Sequence, residues 1–209
     1  MGQILADMTR LLNYLSLGAI PLRGFENYMN LDEIIHLKEY QKEWGSDYLI
    51  ERELLRCSFP ENSIIDIQHI GSTSVKGMYA KPVIDIMIGL KSLEIDQETD
   101  QKLFKSGYRG FGEEGVAGKL YYRKRECKSI NLSIVHWEDE IWGDNIVIRD
   151  YLQVHEHEIL KYSNIKKEIY LKGHKTLLAY SKEKAEFMND LLQRAKSWDR
   201  SLMNRKRKI

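Results

Sequence analysis

The chain has 209 residues, 43% hydrophobic and 30% charged, with a formal net charge of +1. That balance describes an ordinary soluble protein and gives no global reason to expect nucleic acid or a membrane as partner. Cys57 and Cys127 are too few for a disulfide framework or a zinc site of their own, so a reduced, cytoplasmic setting is expected.

Leu5, Met8, Leu11, Leu12 and Leu15 share one helical face over residues 4–17, and Gly18, Pro21 and Gly24 then punctuate the chain. Residues 1–30 therefore read as an N-terminal helical extension, without the basic leader of a signal peptide and too polar for a membrane span. From Asp32 the spacing of Ile35, Leu37, Tyr40, Trp44, Tyr48, Leu49 and Leu55 predicts a helix to about Cys57. A turn at residues 59–63 leads to two apolar, β-branched runs, 64–70 and 82–90, expected as neighbouring strands. Between them residues 73–80 form a short helix or turn. A helix is expected over 93–106, stopped by Gly107. Residues 108–111 and 120–125 should pair antiparallel around the loop 112–118, followed by a strand at 129–137.

Everything beyond is helical. Ile148, Leu152, Ile159, Tyr162, Ile165 and Ile169 make one stripe, with a break near residues 155–158. Ser181 is placed to cap a last helix whose buried face carries Met188, Leu191, Leu192, Ala195 and Trp198. Residues 197–209 end in a basic tail. The sum is an α+β domain over residues 31–196, a small mixed β-sheet flanked by helices with a C-terminal helical tail.

The chemistry concentrates between the first two strands. An apolar run ends at His69-Ile70, turns through Gly71-Ser72-Thr73-Ser74, and resumes at Ala80-Lys81-Pro82 before Ile84-Asp85-Ile86. A small-residue turn offers N–H groups and hydroxyls to a phosphate. A carboxylate inside the next strand is costly to bury without a partner, and Lys81, Arg123 or a divalent cation could each supply one. The three hydroxyls either bind phosphate or cap the following turn.

The block from His69 to Asp85 resembles the GrpB-like family, a branch of the nucleotidyltransferase superfamily. Further matches follow in order: Gly107-Tyr108, the segment from Gly112 to Arg123, Arg149-Asp150-Tyr151-Leu152 with His155, Tyr162 with Lys166, and Ala179-Tyr180-Ser181 with Lys184. The resemblance implies a nucleotidyltransferase-like fold and a cleft for a nucleoside triphosphate or other phosphorylated small molecule. On that basis Asp85 is the catalytic and metal-binding candidate, with Mg2+ as the implied cofactor. Gly71, Ser72, Thr73, Ser74, Lys81, Lys119, Arg123, Arg149 and His69 are the binding candidates, and Lys166 and Lys184 either close the cleft or pair with acids.

The superfamily places a second acid two residues after the first, where this chain has Met87, and Asn131 and Ser133 stand where a further acid or histidine is expected. Gln68 replaces a common Glu. One carboxylate does not organise two magnesium ions. Two readings follow: a metal-dependent nucleotidyltransferase completed by an acid such as Asp66 or Glu113, or a catalytically degenerate nucleotide-sensing or protein-interaction module.

Overall fold

The computed structural model describes residues 32–113 and 116–206, and the extension at 1–30 lies outside them. In order come α1 (Glu43–Ser58), β1 (Ile64–Ile70), a single 3-10 turn (Ser72–Ser74), β2 (Ile84–Leu90), α2 (Gln97–Lys105), β3 (Arg109–Gly110), β4 (Lys119–Lys124), β5 (Ile130–His136), α3 (Glu140–Val154), α4 (Glu156–Leu171), α5 (Leu177–Glu183) and α6 (Ala185–Lys206). The five strands form one sheet in the order β1-β2-β5-β4-β3. Only β2 and β5 run parallel; every other neighbouring pair is antiparallel. The two expected strands 64–70 and 82–90 are neighbours, with Ile70 opposite Asp85 and Ile67 opposite Ile88.

Alternation gives the sheet two chemically different faces. Ile67, Ile86, Ile88, Leu132, Ile134 and Tyr122 lie on one face and pack with Trp44 and Leu55 of α1 and Leu103 of α2. On the other, Ile70, Met87 and Val135 meet Trp142 of α3, so Met87 is fully buried. A separate apolar cluster joins Val75 and Met78 to Tyr151 and Leu152 of α3, Tyr162 of α4, and Leu191 and Ala195 of α6. Through it the helical tail docks on the segment that follows the 3-10 turn.

Three local expectations differ from the structure. Residues 32–42 are not helical. Ile34 and Lys38 instead form isolated bridges to Thr176 and Ala80, so the apolar residues there follow tertiary neighbours and not a helical period. The helix expected at 93–106 starts only at Gln97, because the Asp96 side chain accepts from the Thr99 N–H and caps it. Ser181 lies inside α5 and caps nothing, while α6 continues to Lys206 and takes in most of the segment read as a tail. The break at 155–158 is found at His155, between α3 and α4. Among the described residues no helix is long and apolar enough to cross a membrane.

One buried ion pair clamps α1 to the sheet. Glu51, 4% exposed, accepts from Lys124 Nζ at 2.8 Å and from the Tyr108 hydroxyl at 2.9 Å. Breaking a buried pair from one side leaves an uncompensated charge. Lys124→Met is expected to lower unfolding stability in urea by about 3 kcal/mol. Tyr108→Phe, which removes a hydroxyl and leaves the charge pair, is expected to cost about 1–2 kcal/mol.

Candidate functional site

Gly71 leaves β1 with φ +68°, a left-handed conformation that suits glycine. The absent side chain matters as much as the dihedral. A Cβ on Gly71 would stand 2.6 Å from Asp85 Oδ2, so the carboxylate rests directly against the turn. The other oxygen, Oδ1, accepts from Asn131 Nδ2 at 2.7 Å. Asn131 Oδ1 in turn accepts from the Tyr121 hydroxyl at 2.9 Å and from Arg125 Nη2 at 2.8 Å, and Tyr121 accepts from Arg123 Nε at 2.9 Å. Arg123 is thus linked to Asp85 through Tyr121 and Asn131, where a direct pairing was expected. Ile70, Asp85, Asn131 and Arg123 occupy one row across the sheet, so this relay is a consequence of register.

The turn's three hydroxyls take three different orientations. Ser74 Oγ donates to the Gly71 carbonyl at 2.6 Å and closes the turn. Thr73 is 2% exposed and its Oγ1 lies 3.0 Å from His69 Nε2. Ser72 Oγ faces the helical tail, 2.5 Å from Lys166 Nζ. Lys166 also donates to the Tyr79 carbonyl at 2.7 Å, and its nitrogen sits 3.9 Å from the centroid of the Tyr162 ring. It is 2% exposed. Burial holds its pKa well below the ordinary lysine value; Lys184 pushes it further down and Asp85 works in the opposite sense. Burial lowers Lys184 as well, again opposed by Asp85. Neither lysine has a carboxylate within ion-pair distance among the described residues. Tyr162 and Tyr180, both buried, have their hydroxyls pushed up by desolvation and so stay neutral.

Several sequence candidates sit elsewhere. His69 pairs with Ile86 and therefore projects from the face opposite to Asp85, stacked on Tyr48 at 4.9 Å. Burial lowers its pKa to about 4. Arg149 of α3 is occupied in holding β1: its guanidinium donates to Gln68 Oε1 at 2.5 Å and to the His69 carbonyl at 3.2 Å, and pairs with Asp150. Lys119 shares a face with Arg123 but lies four residues further along β4, about 13 Å at the strand rise. Lys81 is half-buried in the approach to β2, where its carbonyl accepts from the Val83 N–H. Tyr121 and Tyr122 are both buried, so neither ring is presented outward for a base to stack on.

The donor set around Asp85 does not fit a two-metal centre. Among the described residues no group of three or more His, Cys, Asp or Glu could hold a metal. Asp66 accepts from Gln68 and from its own strand, and Glu113 accepts from the Gly118 N–H, so neither completes the site. Met87, at the second-acid position, is packed beneath Trp142. The groups that converge on Ser72 and Asp85 are amines. In the sequence the two lysines stand out only through the family resemblance; the 94-residue separation of Lys166 from Ser72 carries no local signal.

Two outcomes follow. Gly71→Ala must place a Cβ against Asp85 and adopt a left-handed backbone. It is expected to lower urea stability by about 2–3 kcal/mol. His69 is neutral when folded, with a pKa near 4, and binds a proton near pH 6.5 when unfolded. The unfolded state therefore takes up more protons between these values, so this contribution to stability, on the order of 3 kcal/mol, is full above pH 6.5 and lost as pH falls toward 4. Denaturant midpoints of wild type and His69→Gln against pH check it: the variant should lose most of this slope.

The relatives agree with the fold. The family model described as GrpB protein matches residues 34–194. The chain is 31% identical over 167 residues to UPF0157 protein YqkA of Bacillus subtilis, covering 79% of this chain but 48% of the relative, so it spans about half that protein's length. Against the glutamate-rich protein GrpB of Alkalihalophilus pseudofirmus it is 29% identical, covering 78% of this chain and 97% of the relative. The crystal structure of conserved protein GrpB from Enterococcus faecalis superposes with a TM-score of 0.69 at 26% identity, over 78% of this chain and 99% of the other. With a matched family model over most of its length, and a fold shared with a solved member, the chain belongs to the GrpB family.

Proposed function

We propose that the cleft between the Gly71–Ser74 turn and the helical tail binds a phosphorylated small molecule, with a nucleoside triphosphate as the leading class. The observation that carries this is the charge arrangement. Lys166, 2% exposed, and the half-buried Lys184 lie near one carboxylate, Asp85, and among the described residues neither forms an ion pair. Burying amines without counterions is costly, and an incoming polyanion supplies the missing charge. Ser72 and the exposed Gly71 offer small, polar, closely approachable groups beside them. The resemblance of the turn and the Asp85-bearing strand to a nucleotidyltransferase pattern supports the same reading.

In this reading positive charge comes from Lys184, and no step is assigned to a divalent metal. A binding or sensing module therefore accounts for the residues better than a two-metal transferase does. The alternative is tested by the same preparation: pyrophosphate release from a nucleoside triphosphate with magnesium at an ordinary enzymatic rate, about 10 per second, would establish transfer.

Thermal melting of the full chain with inorganic triphosphate and each of four nucleoside triphosphates, with EDTA or magnesium, is the direct test. Ligand at a hundred times its dissociation constant should stabilise by about 2.7 kcal/mol. We expect a shift in EDTA, weakened at least about tenfold in affinity by Lys184→Met, which corresponds to about 1.4 kcal/mol. Melting curves unmoved by every one of these anions would refute the reading.

A further inference from the structure

We propose that Ser72 and Lys166 form a nucleophile–base dyad in which the Ser72 hydroxyl attacks a phosphorus centre bound in the cleft. The substrate class rests on the phosphoanion reading above; the dyad rests on its own geometry. Ser72 Oγ and Lys166 Nζ are 2.5 Å apart, within reach for proton transfer. The amine also donates to the Tyr79 carbonyl and lies over the Tyr162 ring, so its position at Ser72 is held by two further groups. Ser72 itself is half-buried, at the start of the 3-10 turn, and Gly71 beside it is exposed. An attacking oxygen is therefore held at the cleft wall while its base is sealed inside.

A serine is a weak nucleophile until a neighbouring group takes its proton, and a lysine does this when it is neutral. Lys166 meets that requirement by burial and by the nearby Lys184, whose charge opposes a second ammonium. The groups acting on it are Asp85 from β2, Lys184 beyond α5, and the neutral hydroxyl of Tyr162 on its own helix, which also hydrogen-bonds Ser72. Of the charged groups among these, Asp85 alone favours the charged amine. The two lysines thus divide the work: Lys184 carries charge toward the phosphoryl oxygens, and Lys166 removes the proton.

With a nucleoside triphosphate, Ser72 Oγ bonds to the α-phosphorus and the bond from that phosphorus to the bridging oxygen breaks. Pyrophosphate leaves with the bonding pair, and the Ser72 proton passes to Lys166 Nζ. The product is a phosphodiester on Ser72. No oxidant, reductant or third reactant enters.

A fluorophosphonate probe tests the dyad without knowledge of the natural ligand, because the same step forms an Oγ–P bond, breaks P–F and releases fluoride. We expect the full-length protein to be phosphonylated once, at Ser72 by peptide mass mapping, with a rate that rises with pH and levels off below the range of an ordinary lysine. Ser72→Ala should be unlabelled. Lys166→Arg places a permanently charged side chain there that supplies no base, and should be slowed at least about 100-fold. Lys166→Met should match it, and if that variant does not fold, Lys166→Arg and the wild-type pH profile decide. A wild-type protein with an intact melting transition that leaves Ser72 unmodified, or Lys166→Arg labelled as fast as wild type, overturns the proposal. Failure of the cleft reading is distinguishable: triphosphate would then leave the melting temperature unchanged while Ser72 still reacts with the probe. Triphosphate stabilisation without any Ser72 labelling would leave the cleft in place and eliminate the dyad.

Discussion

A buried lysine with a hydroxyl and a carbonyl as its partners is the constraint on which this architecture turns. Lys166 reaches from α4 to Ser72 in the 3-10 turn and to the backbone at Tyr79, tying the helical tail to both ends of the segment between β1 and β2. Desolvating a charged amine without a counterion would cost several kcal/mol, so the protein keeps it deprotonated or waits for an anion. Either solution gives the site chemical character. A purely structural tie could have been made by an apolar side chain at lower cost.

The sheet supplies the carboxylate side of the candidate site. Its face toward α3 is divided between an apolar patch under Trp142 and a polar row in which Asp85, Asn131, Tyr121 and Arg123 hand hydrogen bonds to one another. Among the described residues no buried side-chain nitrogen or oxygen lacks a hydrogen-bond partner. A fully satisfied network of this kind is rigid, because each member is oriented by the next. Asp85 is consequently held at the Gly71 turn with little rotational freedom, and the lack of a Cβ at Gly71 is what lets it approach so closely.

The departure from a two-metal pattern has a packing explanation. The position two residues after Asp85 shares its face but falls under α3, where Met87 contacts the Trp142 cluster. An acid there would be buried among apolar groups unless a metal compensated it. This chain instead fills the space with a thioether. Arg149 fastens α3 to β1 beside this packing, through Gln68 and the His69 carbonyl.

What the sequence by itself determined is whatever depends on short-range pattern. The two β-branched runs read as strands, the small-residue turn at Gly71 was marked by its residue types, and the stop between α3 and α4 was visible as a lapse in the helical stripe. Even the placement of Asp85 and Arg123 on one face follows from alternation once the register is known. Tertiary structure decided the rest. Residues 32–42 have a helix-like apolar spacing, yet bridges to Ala80 and Thr176 draw them out as extended chain. His69 stands next to the turn in sequence but points to the other side of the sheet, since neighbours on a strand face opposite ways. Ser72 was one of three equivalent hydroxyls until Lys166, 94 residues away, singled it out. No local pattern encodes such a meeting, because it exists only after the helical tail has packed over the turn and excluded water from the amine.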